Sequence, residues 1–177
     1  MCKWIGAVGL GRFEDACPWK RIKGAQMTTH TETRVMPYSA KQMYDLIANI
    51  EEYPEFLPWC AAVRRRSSNV ENGCETVEAD MIVSFKVFRE KFGSRVVLNP
   101  EAHKIDVSYI DGPFKYLVNH WVFEPIDQTS CKVDFFVDFE FKSRTLQALI
   151  GVVFHQAMQQ VVRAFERRAE TLYGTSA

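Results

Sequence analysis

Along Cys131, Val133, Phe135, Val137, Phe139 and Phe141 every second residue is apolar, and Lys132, Asp134, Asp138, Glu140 and Lys142 fill places between them. A period of two predicts a strand with one buried face. From Ser143 the period changes. Leu146, Leu149/Ile150, Val153, Ala157, Val161, Ala164/Phe165 and Leu172 recur at steps of three and four, which predicts one long α-helix with an apolar stripe. Alternating strand pattern occupies the chain from about Trp59 to Lys142, so a single helix has a large sheet to cover. A sheet of that size twists and curls, and a gap opens wherever its side chains and those of the helix fail to meet. Such a gap is a natural apolar ligand site.

The remaining elements are read the same way. His30 to Met36 alternates weakly and stops at Pro37, as an edge strand does. Ser39-Ala40-Lys41-Gln42 is a capping box, with Tyr38 and Met43 placed as its hydrophobic staple. A helix therefore begins at Ser39 and turns Met43, Leu46, Ile47 and Ile50 inward. In Tyr53-Pro54-Glu55-Phe56-Leu57-Pro58-Trp59-Cys60 the two prolines allow one short helical turn before the chain extends. Reversals follow at Asn72-Gly73, Asn99-Pro100, Asp111-Gly112-Pro113 and Asp127-Gln128-Thr129. Between them Met81, Val83 and Phe85 share a face, as do Phe92, Val96 and Leu98, then Ile105, Val107 and Tyr109, then Leu117, Asn119, Trp121 and Phe123. Short turns imply a sequential antiparallel meander.

Composition narrows the class. The 177 residues, 47% hydrophobic and 25% charged, suit one domain with a sizeable core. Lysine plus arginine equals aspartate plus glutamate at 22 each, so no global field favours nucleic acid or an anionic membrane. The five cysteines show no CxxC spacing and are read as reduced thiols. No apolar run approaches the roughly 18 residues that span a bilayer. Residues 1 to 26 match neither a secretory signal nor a transit peptide. They are read as a disordered or non-native extension, with a short regulatory arm as the alternative, ahead of one domain over 27–174.

Within that order of elements the motifs carry a resemblance. The Tyr53 to Cys60 segment, Arg89-Glu90-Lys91-Phe92 with Arg95, Gly112-Pro113-Phe114-Lys115, the Leu117, Asn119, Trp121, Phe123, Pro125 series and Phe139-Glu140-Phe141-Lys142-Ser143 together resemble the coenzyme Q-binding protein family. This family lies within the START-like polyketide cyclase/dehydrase superfamily, and the resemblance covers about residues 29 to 174. It implies an α+β helix-grip fold: a curved antiparallel sheet of about seven strands wrapped around a long C-terminal helix, with two short helices after the first strand. It also implies a non-catalytic protein that binds ubiquinone between sheet and helix and supports ubiquinone biosynthesis and respiratory electron transport. Relatives in other bacteria are ribosome-associated toxins that block subunit joining, and others are aromatase/cyclase-type enzymes.

The candidate ligand-binding set is Phe56, Leu57, Trp59, Phe85, Phe92, Val107, Phe114, Leu117, Asn119, Trp121, Phe139, Leu149, Val153, Phe154 and Ala157. Each aromatic among them, and Phe88 beside them, is also what an ordinary aromatic core contains. Trp59 follows the proline-stiffened loop and is placed at the cavity mouth. Asn119 is polar on an apolar face, and an unpaired buried amide costs roughly 1 to 3 kcal/mol, so it needs a backbone partner or a quinone carbonyl. The stretch Leu149 to Phe154 is apolar around much of the helix, which calls for cover by the short helices, a dimer partner or a membrane. Arg64-Arg65-Arg66, extended by Lys86, Arg89, Lys91 and Arg95, is read either as a solvated strand face or as a contact for phospholipid headgroups or RNA phosphates.

Enzyme chemistry has no visible carrier. His30, His103, His120 and His155 are scattered, His120 falls on the face opposite Asn119, and no pair of histidines has ligand spacing. No catalytic cofactor or metal is expected; the bound molecule is ubiquinone or another isoprenoid lipid. Burying hydrocarbon from water is worth about 0.8 kcal/mol per CH₂. A quinone tail already lies in lipid, so its transfer runs near equilibrium. The expectation is a peripheral carrier at the inner face of the cytoplasmic membrane, or at the matrix side of the mitochondrial inner membrane.

Overall fold

The computed structural model describes residues 28–85 and 88–174. The expected extension over 1–26 and Lys86 of the basic patch lie outside them, as does the Phe88 side chain. In chain order the elements are β1 (Thr28–Met36), α1 (Ala40–Ala48), a 3-10 turn (Ile50–Glu52), α2 (Tyr53–Phe56), β2 (Cys60–Glu71), β3 (Cys74–Phe85), β4 (Phe88–Asn99), β5 (Lys104–Asp111), β6 (Phe114–Pro125), β7 (Cys131–Phe141) and α3 (Arg144–Tyr173).

The strands form one antiparallel sheet in the order β1-β7-β6-β5-β4-β3-β2. From β2 to β7 it is the expected meander. β1 closes onto β7, with Thr28 opposite Phe139 and Met36 opposite Cys131, and is an edge strand. Burial alternates along β7 at every residue, the inner set being Cys131 to Phe141 by twos. Asn72 and Gly73 take positive φ of 52° and 80°, the geometry a two-residue hairpin with right-handed strand twist requires.

Ser39 caps α1 as the sequence specifies: its Oγ accepts from the Gln42 amide at 3.2 Å, and the Gln42 side chain accepts from the Ser39 amide at 2.9 Å. Met43, Leu46, Ile47 and Ile50 are buried, as are Tyr38 and Tyr53. The chain then runs through α2 into β2. Leu172, expected on the inner stripe of α3, is 46% exposed. Ala169 and Tyr173 take the inward positions of that last turn, Ala169 fully buried and Tyr173 donating to the Gln42 carbonyl at 3.0 Å.

α3 is fastened at both ends. At its start the Ser143 Oγ accepts from the Leu146 amide. Gln147, buried one turn in, accepts from the Phe141 amide at 2.8 Å and donates to the Thr28 hydroxyl at 2.8 Å. At its far end Arg168 pairs with Glu52 and Glu55 at 2.8 and 2.9 Å. Two apolar clusters correspond to these fastenings. One joins α1, α2 and the last turns of α3 to β3–β7; the other gathers Phe114, Phe135, Val137, Phe139, Phe141 and Leu146 near the start of α3. Between them the helix bridges open space.

Candidate functional site

The bridged space is a cavity of about 360 Å³, walled by the concave faces of β3 to β7, the α2–β2 connection and the middle of α3. Every residue of the candidate set lines it except Phe56 and Leu149. Phe56 instead packs edge-on against Phe165 and Tyr53, with its ring centroid 5.4 Å from the Arg168 guanidinium, so it joins α2 to α3 below the cavity. At the Leu149/Ile150 step the helix turns Ile150 to the cavity and leaves Leu149 on its half-exposed flank. The apolar stripe passes through this step as expected, but Leu149, expected in the site, does not line it, because neighbouring residues differ by about a quarter turn or more on a helix.

The lining also includes residues the pattern did not single out for the site, among them Tyr53, Val63, Met81, Ser94, Phe135, Ile150, Met158 and Phe165. Phe135 and Met81 were legible as inward strand positions. Ser94 was not, because a small hydroxyl residue in a strand carries no signal of facing a cavity. It is 6% exposed.

The wall is almost wholly apolar, and its polar groups are few. The Tyr53 hydroxyl is spent: it donates to the Ile47 carbonyl at 2.6 Å, and burial pushes its acidity well above the usual phenol range. Asn119 differs. It stands between Val107 on β5 and Val137 on β7, and its Oδ1 is buried with no hydrogen-bond partner among the described residues. The backbone partner that was one of the two expected ways to satisfy this amide is therefore absent for that atom. The Trp121 ring leans on Phe135, with centroids 4.2 Å apart.

Trp59 holds φ at +65°, an uncommon conformation for a bulky residue, where the chain leaves the Pro58 loop for β2. Its carbonyl accepts from the Ser84 amide at 2.7 Å, and its ring meets Phe85 edge-on at 5.1 Å. Beside them a smaller pocket of about 90 Å³ shares Val83, Phe85, Phe92, Phe114, Phe141 and Ile150 with the main cavity and is rimmed by Glu90 and Pro113. Space thus continues outward between the start of α3 and the adjoining ends of β3, β4 and β6. On the outer side of α3, Val152 is 82% exposed.

Elsewhere the charges are largely committed to one another. Arg65 pairs with Glu51 and Glu75, and Arg66 with Asp80 and Asp111. The Arg66 hydrogen bonds hold Asp80 and Asp111 below the usual carboxylate range. Of the three consecutive arginines, Arg64 alone forms no ion pair among the described residues. His120 lies on the outer face with its ring at 2.5 Å from Asp106. Burial pushes the Cys60 and Cys131 thiols up to about 11, so both remain protonated at neutral pH. No cluster of His, Cys, Asp or Glu among the described residues has the form of a metal site. Among the described residues, the cavity lining carries no carboxylate, imidazole or ammonium group. No described helix is long and apolar enough to cross a membrane.

Comparison with known proteins agrees with this architecture. The family model for polyketide cyclase / dehydrase and lipid transport matches residues 36–166. Among curated proteins, the ribosome association toxin RatA of Rickettsia prowazekii is 37% identical over 147 residues, covering 81% of this chain and 97% of that protein. Coenzyme Q-binding protein COQ10 homolog B of Xenopus laevis, a mitochondrial protein, is 32% identical over 157 residues, covering 86% of this chain and 62% of its own. Among solved structures, an 18 kDa protein from Caulobacter crescentus is 36% identical with a TM-score of 0.71, over 84% of this chain and 99% of that one. The Zhui aromatase/cyclase from a Streptomyces species shares the fold at 15% identity and a TM-score of 0.68, over 81% and 94%. The chain belongs to the START-like polyketide cyclase/dehydrase and lipid transport family.

Proposed function

We propose that this protein is a non-catalytic carrier that binds the headgroup of ubiquinone, or of a closely related isoprenoid quinone, in the cavity under α3. In this role it presents the quinone to biosynthetic or respiratory enzymes at a membrane surface. The observation that carries the reading is the Asn119 amide. An apolar cavity alone fits any lipid, but a buried amide oxygen without a partner in its wall favours a ligand with a polar ring, one that donates to it from a hydroquinone hydroxyl or, with the amide end group rotated, accepts from its NH₂ at a quinone carbonyl, since leaving such a group unmade costs about 1–3 kcal/mol. The exposed Val152 flank of α3 and the pocket beside Phe85 support access from a bilayer, where the tail stays in an apolar medium throughout transfer.

The test is organic extraction and mass spectrometry of protein purified without detergent from a ubiquinone-producing host. Stoichiometric ubiquinone is expected in the wild type and severalfold less in folded Trp59→Ala, which opens the aromatic contact with Phe85. An empty or phospholipid-filled wild-type protein would refute the quinone reading.

A second reading has a specific observation behind it: relatives 34–37% identical bear the name ribosome association toxin. Against it stands the commitment of Arg65 and Arg66 to neighbouring carboxylates, which leaves a small cationic footprint for RNA. Co-sedimentation with ribosomal subunits, abolished by Arg64→Ala, would favour this second role.

A further inference from the structure

We infer that the cavity holds its ligand ring-inward by a two-point polar anchor, Ser94 and Asn119, matched to a six-membered ring bearing oxygens on opposite edges, with the tail leaving past Phe85. This deepens the quinone reading and rests on it. Ser94 sits on β4 opposite Tyr109 of β5, and Asn119 sits on β6 opposite Val107 of β5. The two polar side chains therefore flank one strand, offset by two residues along it, and both line the cavity. Two strand spacings and that offset put their backbones about 12 Å apart. On the concave face the side chains reach inward, shortening the gap between polar atoms. A ring with para oxygens, whose oxygens lie about 5 Å apart, plus a hydrogen bond at each end, spans on the order of 11 Å.

The chemistry at both ends suits such a ring. A serine hydroxyl both donates and accepts, and a primary amide offers either function by rotating its end group. The pair can thus meet a quinone's carbonyls or a hydroquinone's hydroxyls. Among the described lining residues the other polar groups are the Tyr53 hydroxyl, already paired to the Ile47 carbonyl, and the indole N–H groups of Trp59 and Trp121, which can only donate. The position of the second pocket sets the orientation. Ser94 and Asn119 line the main cavity, and the adjoining pocket rimmed by Glu90 and Pro113 shares Phe85 and Phe92 with it, so the tail leaves that way while the ring stays at the anchor.

The test measures binding of decylubiquinone by tryptophan quenching, and of decylbenzene, which has ring and tail without oxygens, by displacement, using the full chain without detergent. Wild type is expected to prefer decylubiquinone at least tenfold. Ser94→Ala and Asn119→Leu should each weaken it about five- to tenfold, the worth of one hydrogen bond, while leaving decylbenzene unchanged. The double variant should lose the preference. Asn119→Leu removes an unpaired buried oxygen with little change of volume, so it is expected to fold, and thermal unfolding checks this. Wild-type preference retained in both variants overturns the anchor and leaves the quinone reading standing. No wild-type preference, or failure of wild type to bind decylubiquinone, overturns both.

Discussion

Gly112 shows how a single residue shapes the site. Its φ is +127°, and a Cβ there would lie 2.7 Å from the Lys91 carbonyl oxygen and 2.8 Å from the Phe92 Cα. Neither is the end of a flexible side chain, so the backbone of β4 would have to move beside the cavity-lining Phe92. Gly112→Ala is expected to destabilise the protein by about 1–3 kcal/mol, seen as a lower denaturant midpoint with an unchanged slope. An unaltered midpoint would show that the β5–β6 turn can shift freely. Other residue-level features were uneven in their legibility. Asn119 announced itself because an amide interrupts an apolar alternation. Ser94 did not, since serine is ordinary on either face of a strand. Leu149 and Ile150 are both apolar, and only the rotation of α3 about its axis separates the one that lines the cavity from the one that does not.

Among the elements, β2, β3 and β5 are linked across their outer face by Arg66, which reaches Asp80 at 2.5 Å and Asp111 at 2.7 Å; Lys91 of β4 adds a contact to Asp80. Gly93 makes room for it, as a Cβ there would lie 2.8 Å from the guanidinium. Both carboxyls have lowered pKa values in the folded state, so their contribution is present above the unfolded value of about 4 and is lost as pH falls through the folded values. Arg66→Gln should therefore be less stable than wild type at pH 7, with the difference shrinking below about pH 4. A gap independent of pH, in denaturant titrations at several pH values, would assign the loss to packing. The capping box of α1 and the alternation of β7 were readable because both are local rules. The pairing of β1 with β7 was not, since a strand's edge pattern does not name its partner.

For the molecule as a whole, stability offers an independent readout of the cavity's occupant. A ligand that binds only the folded state at a hundred times its Kd adds about 2.7 kcal/mol. Decylubiquinone at that excess is expected to raise the Tm by several degrees and to slow amide exchange in the middle of α3, between the fastenings at Gln147 and Arg168. A Tm shift without slower exchange in that segment would place the ligand elsewhere. The hydrophobic periods by themselves determined the order of elements and the inward faces of the strands, and the candidate set drawn from them and from the resemblance held 13 of the 30 residues that line the cavity, because side-chain direction follows backbone period. Tertiary structure alone decided that the two apolar layers stand apart rather than interlock, that Phe56 belongs to a core and Ser94 to a cavity, and that Asn119 is left without a protein partner for its oxygen. Those outcomes depend on the curl of the sheet and on where α3 is fastened, which are sums over contacts distant in sequence that no local pattern encodes.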